Sequence, residues 1–184
     1  MKRGQIVCIT NEGVTTSIEF NGDMYLSYHG KRIIKKLKKD MTLSDYKKYV
    51  RYFNKTYFDY PDELFYNVDK EYLDMNKENY FSAWFSDYLY IKNISDEDQI
   101  VIDGEFNEIT IHPQGYVVLR FGEYDESDED EYEVIYNATI DKCGRLKKVC
   151  EELGWCVHEE YDGYYLSKYS PAGEDFGFYV SIDN

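Results

Sequence analysis

The chain has 184 residues, of which 43% are hydrophobic and 18% aromatic. That excludes a disordered polymer despite a charged fraction of 31%, because enough apolar surface is present to offset the entropy lost on ordering. The net charge of −15 is split unevenly: 12 Lys and Arg stand against 5 Asp and Glu through residue 58, then 9 against 31, so a basic segment of +7 precedes an acidic body of −22.

At this length folding buries about 70% of the unfolded surface, so a single domain over 1–184 is expected, with a possible subdivision into a basic 1–58 and an acidic 59–184. The start, MKRGQIVCIT, carries two positive charges ahead of an apolar run too short for a signal peptide. No later stretch approaches the roughly 18 apolar residues of a membrane span, so a cytosolic location is expected. Cys8, Cys143, Cys150 and Cys156 show no CxxC spacing and read as reduced, mostly buried thiols.

In chain order, GQIVCIT, VTTSIEF and MYLSY are β-branched or aromatic and are separated by the turn signals Asn11-Glu12-Gly13 and Asn21-Gly22-Asp23. They predict an N-terminal strand meander. Lys31 to Lys39 predicts a short basic helix with Ile33, Ile34 and Leu37 turned inward. Leu43, Tyr46, Val50, Phe53 and Tyr57 recur at steps of three and four, the mark of a helix with one buried face, and Thr42 is its expected N-cap. Pro61 before Asp62 and Glu63 signals a further helix start.

Beyond Trp84 the pattern turns to period two through FSDYLYIKNI, QIVID, FNEITIH and YVVLRF, an antiparallel sheet. The run Glu123 to Glu133 then joins two strands, the second being EVIYNA. Asp141 to Leu153 predicts a helix with Leu146, Val149, Cys150 and Leu153 on one face, stopped by Gly154. WCVHEEY, YYLSKY and FGFYVSI close the chain as a βαβ-hairpin unit, with Trp155, Tyr165 and Phe178 in the core. The fold class expected is α+β: antiparallel sheets with a few packed helices, a meander followed by helices, and a C-terminal helix plus β-hairpin.

Motifs for catalysis are missing from the sequence: there is no GxSxG, GxGxxG, GxxxxGK[ST] or HExxH. His29, His112 and His158 stand apart, none at zinc-ligand spacing. Cys156 and His158 are two apart on a predicted strand and share a face, which permits a thiol–imidazole pair; a core cysteine beside a half-exposed histidine fits equally. Asp125, Ser127 and Glu129 alternate like the start of an EF-hand loop, but the sixth position is Asp130 rather than Gly and the twelfth is Tyr136 rather than Glu. No catalytic residue, cofactor or resident metal is expected.

Two charge clusters remain. Asp125, Glu126, Asp128, Glu129, Asp130 and Glu131, with Glu174 and Asp175, supply carboxylates in the manner of a phosphate array, or else form a solvated loop. Lys31, Arg32, Lys35, Lys36, Lys38 and Lys39 place six positive charges in nine residues, a phosphate-contacting stripe or a solvated helix face.

Small size, acidity, tyrosine richness and charge domains of both signs are the general look of inhibitors of host defence carried by phages and other mobile elements. The run GWCVHEEYDGYYLSKYSPAGEDFGFYVSI, Gly154 to Ile182, with its loop Ser170-Pro171-Ala172-Gly173-Glu174-Asp175-Phe176, resembles the C-terminal part of such proteins. Over its length the chain resembles a type II-A anti-CRISPR protein, a Cas9 inhibitor. The resemblance implies a cytoplasmic protein of the host bacterial cell that binds the Cas9–guide RNA complex stoichiometrically and prevents recognition or cleavage of target DNA. The acidic clusters would meet the partner's positively charged channel. Lys31 to Lys39 depart from a pure DNA mimic and leave direct nucleic-acid contact open. The alternatives are a DNA-mimic antirestriction protein and an immunity protein neutralising a nuclease.

Overall fold

A computed structural model of the chain describes residues 1–69, 86–104, 108–112, 115–120, 136–141, 145–161, 163–169 and 175–182. The fold is α+β, with a mostly antiparallel sheet and an N-terminal strand meander followed by helices. The meander consists of β1 (Arg3–Thr10), β2 (Gly13–Ser17) and the two-residue β3 (Phe20–Asn21). A single π-turn, Leu26–Gly30, leads into α1 (Lys31–Leu37), and α2 (Leu43–Tyr57) follows. The remaining strands are β4 (Phe65–Asp69), β5 (Tyr88–Asn93), β6 (Gln99–Gly104), β7 (Glu108–His112), β8 (Tyr116–Arg120) and β9 (Tyr136–Asp141). After them come α3 (Leu146–Glu152), β10 (Cys156–Glu160), β11 (Gly163–Tyr169) and β12 (Asp175–Ile182).

Among the described residues one ten-stranded sheet runs β10-β11-β12-β7-β8-β5-β1-β2-β4, with β3 paired to β1, while β6 and β9 form a separate ladder. The pairing is antiparallel as expected except at two junctions, where β1 is parallel to β5 and β12 is parallel to β7. Because β1 and β2 pair with β5 and β4, the change of charge at residue 58 does not coincide with a sheet boundary.

The central strands are buried on both faces. On one face Ile6, Cys8, Tyr88, Tyr90, Tyr116 and Val118 pack with Ile33, Leu37, Tyr46, Val50 and Phe53, so α1 and α2 cover it. On the other, Val7, Ile9, Leu89, Ile91, Val117 and Leu119 meet Leu146, Cys150 and Trp155 of α3 and its exit. Burial of each large side chain contributes about 1.5–3 kcal/mol, so the two layers are the main source of stability. A strand buried on both faces reads as a continuous apolar run rather than an alternation, which accounts for QIVCI, YLYI and YVVL in the sequence.

Three polar anchors tie the first helical layer to the sheet. Tyr46 Oη donates to the Ile6 carbonyl at 2.6 Å, Tyr90 Oη donates to the Met24 carbonyl at 2.6 Å, and buried Lys92 Nζ donates to the Leu37 carbonyl at 2.7 Å. The last bond satisfies a carbonyl that α1 leaves open at its C-terminus and puts a cation at the negative end of the helix.

Several local expectations are corrected. MYLSY is not a strand: Gly30 N–H donates to the Tyr25 carbonyl at 2.9 Å, closing the π-turn. A Cβ on Gly30 would stand 2.4 Å from Tyr90 Oη and 2.7 Å from the Tyr25 carbonyl, so this turn needs glycine. Residues after Pro61 enter β4 instead of a helix, because Phe65–Asp69 alternates and finds the free edge of β2. The helix expected over 141–153 is shorter: Asp141 ends β9, α3 starts at Leu146, and Leu153 is 44% exposed. Gly154, at φ +85°, makes the expected stop. The described part of EVIYNA, residues 136–138, lies in β9, which pairs with β6, so the C-terminal unit is α3 followed by three antiparallel strands rather than a βαβ unit. No helix among the described residues is long and apolar enough to cross a membrane.

Candidate nucleic-acid interface

The helical layer over β1 and β5 exposes a strongly basic outer surface. Residues 31–57 hold ten Lys and Arg against two acids, Asp40 and Asp45. Asp45 is occupied by structure: Asp45 N–H donates to Thr42 Oγ1 at 3.1 Å, and Thr42 N–H donates to Asp45 Oδ2 at 2.9 Å, a reciprocal cap that starts α2. The backbone and side-chain hydrogen bonds from Thr42 hold the Asp45 carboxyl below the usual carboxylate range.

The sequence-predicted stripe is present. Lys31, Arg32, Lys35, Lys38 and Lys39 are exposed and Lys36 is half-buried, while Ile33 and Leu37 on the same short helix are fully buried. The second helix adds residues that the run of six lysines and arginines overshadowed: Lys48, Arg51 and Lys55 are exposed and Lys47 is half-buried. Their signal was present at 47, 51 and 55, one basic residue per turn on the side of α2 away from Tyr46, Val50 and Phe53.

Aromatic rings interleave with these cations. The Arg32 guanidinium carbon lies 4.9 Å from the Tyr28 ring centroid and 5.3 Å from that of Tyr57. Lys36 Nζ lies 5.8 Å from the Tyr49 ring, and Tyr49 stacks on Tyr52 with centroids 6.5 Å apart. On the opposite flank Lys47 and Arg51 approach the Phe65 ring of β4 at 5.7 and 5.2 Å. Tyr28, Tyr52 and Tyr57 are 50%, 59% and 38% exposed, which corrects the inward placement of Tyr57; buried Asn54 takes that side of the helix end and bonds the backbone of Tyr60. Each cation–π contact is worth about 0.5–1 kcal/mol at an exposed site and holds a side chain in place without neutralising its charge.

The described ion pairs use other residues: Lys2 with Asp87, Arg3 with Glu19, Arg145 with Asp98, Lys147 with Glu159 and Lys148 with Glu152. Among the described residues, Lys31, Arg32, Lys35, Lys36, Lys39, Lys47, Lys48, Arg51 and Lys55 have no carboxylate within ion-pair distance. Screening over about 8 Å at physiological salt leaves this surface positive even though the chain as a whole is acidic.

Beneath the Arg32 clamp sits His29, 6% exposed, ringed by Tyr28, Phe53, Tyr57 and Phe58 at 4.7–5.5 Å. Its Nδ1 is buried without a hydrogen-bond partner. Burial, and secondarily the Arg32 charge, push its pKa below the ordinary histidine value. His112 is also buried and stacks on Tyr116. Cys156 and His158 do share a face of β10, but both are exposed, so the expectation of a buried Cys156 is corrected; Cys8 and Cys150 are buried free thiols. Among the described residues no three His, Cys, Asp or Glu are placed to hold a metal ion.

Asp125, Glu126, Asp128, Glu129, Asp130, Glu131 and Glu174 lie outside the described residues, as does Cys143. Asp175 opens β12, four strands from β1 along the sheet, and is not brought to the basic helices. No protein-family model, curated protein or solved structure matches the chain.

Proposed function

We propose that the protein is a stoichiometric inhibitor that occupies a nucleic-acid enzyme, with the Cas9–guide RNA complex as its foremost partner, and blocks target DNA recognition or cleavage without chemistry of its own. The observation that carries this reading is the α1–α2 surface: ten basic residues against two acids, set among exposed tyrosines, on a chain that is otherwise acidic. A partner that presents phosphate next to protein suits such a molecule, since Lys and Arg exchange condensed counterions for phosphate while the acidic body is drawn to positively charged channel walls. Tyrosine and arginine are also the residue types enriched at the energetic centres of interfaces.

The −22 balance after residue 58 favours a second reading, a DNA mimic of the antirestriction type or an immunity protein against a nuclease, in which carboxylates alone face a basic cleft. Cleavage of target DNA by Cas9–guide RNA, titrated with the purified protein, tests the first. Inhibition should be complete near one molecule per complex and should weaken as salt rises. Absence of inhibition, or full inhibition far below that ratio, would overturn it.

A further inference from the structure

We infer that the seam between α1 and α2 binds single-stranded nucleic acid directly, with a base stacked on Tyr52 and phosphates on Arg32 and the flanking lysines. The inference rests on the reading above that this surface is the interface, and it specifies what the surface grips.

The arrangement of the cations excludes a simple charged patch. Arg32 packs over the rings of Tyr28 and Tyr57, and Lys36 over Tyr49, which itself stacks on Tyr52. A guanidinium centred over aromatic rings can still donate its N–H groups to a phosphate, while the ring of Tyr52, 59% exposed and touched by none of these cations, is open to a base. Lys31 and Lys35 on α1, Lys39 just beyond its C-terminus, and Lys48 and Lys55 on α2 are exposed on the same pair of elements. Tracks of lysine and arginine interleaved with aromatic rings are how proteins hold unpaired strands, because every base has a face to stack and every linkage a charge.

Access separates a single strand from a duplex. In a duplex both faces of every base are already stacked on its neighbours, whereas an unpaired strand can splay a base onto the exposed ring of Tyr52. An acidic protein segment would use the lysines but leave the exposed tyrosine faces without a planar partner.

Fluorescence anisotropy with labelled RNA and DNA single strands of about twelve nucleotides, and with the matching DNA duplex, tests the inference. Both single strands should bind more tightly than the duplex. With four to six phosphates engaged, log affinity should fall against log salt with a slope of about −3 to −4. Tyr52→Ala should weaken single-strand binding by about 5- to 150-fold and Tyr52→Phe should restore it, since stacking needs the ring and not the hydroxyl. Tyr52 is 59% exposed, so neither variant threatens the fold. Equal binding of the duplex, indifference to Tyr52→Ala, or equal displacement by polyglutamate would overturn the inference. Intact Cas9 inhibition without strand binding would sink this inference alone, and strand binding without Cas9 inhibition would sink the functional reading alone.

Discussion

His29 shows what the packing of a single polar residue does to the pH response. Folding places its ring among four aromatics with Nδ1 unsatisfied, and burial first, then Arg32, lowers its pKa. The folded state therefore favours neutral imidazole. The stability this contributes is fully present above the unfolded value of about 6.5 and is lost as pH falls through that value toward the folded one. We expect the urea midpoint of the wild type to drop between pH 7.5 and 5.5 by more than that of His29→Phe; parallel profiles would contradict the assignment. Thiols divide in the same local way. Burial pushes Cys8 up to about 12, against the opposing charge of Lys92, whereas Cys156 is exposed on β10. Alkylation followed by peptide mapping should label Cys156 in the native protein, and Cys8 and Cys150 only on unfolding. The burial of Cys8 and Cys150 was legible in sequence, in the apolar run IVCI and on the helical face shared with Leu146 and Val149, whereas the exposure of Cys156 was not, because only the packing around β10 decides it.

At the scale of elements, what the sequence made legible depended on how local the determining interaction is. The α2 helix was readable because its 3.6-residue period and its Thr42 cap are both contained within it, and Thr42→Ala should cost about 1 kcal/mol through loss of the reciprocal cap. Phe53→Ala, which empties a fully buried site against Phe20, Phe58 and His29, should cost about 3–5 kcal/mol; both losses are measured as shifts of the denaturant midpoint. The π-turn was misread as a strand because MYLSY has the aromatic composition of one. What decides its shape is a hydrogen bond back to Tyr25 and the absence of a Cβ at Gly30 beneath Tyr90. Gly30→Ala should therefore lower the melting temperature and displace Tyr28 and Arg32, which lie two positions to either side of it. The double burial of β1, β5 and β8 was written in their continuous apolar runs, but a period-two template assigns one face of every strand to water. The basic side of α2 was overlooked for a comparable reason. Lys47, Arg51 and Lys55 are separated in sequence and become neighbours only on the helix, the first two beside a ring supplied by β4.

For the whole molecule, the sheet gathers the basic and acidic parts of the chain into one continuous structure, joined by the Lys2–Asp87 pair, while the cations of α1 and α2 keep apart from the carboxylates of the described ion pairs. Described carboxylates of the body are engaged locally, Asp98 with Arg145 and Glu159 with Lys147, while most cations of α1 and α2 are held by aromatic rings or left to solvent. The consequence is a molecule with a net charge of −15 that offers a positive face, and it is this face that we propose meets the partner. The most direct measurement compares inhibition of Cas9–guide RNA cleavage by the wild type with that by a charge-reversed variant, Lys35→Glu, Lys39→Glu, Lys48→Glu and Arg51→Glu, whose changed residues are all exposed. This variant should keep the wild-type circular dichroism and melting temperature and lose inhibition by at least a hundredfold, about 2.7 kcal/mol. Inhibition equal to the wild type's by a folded variant would contradict it and move the interface to the acidic body.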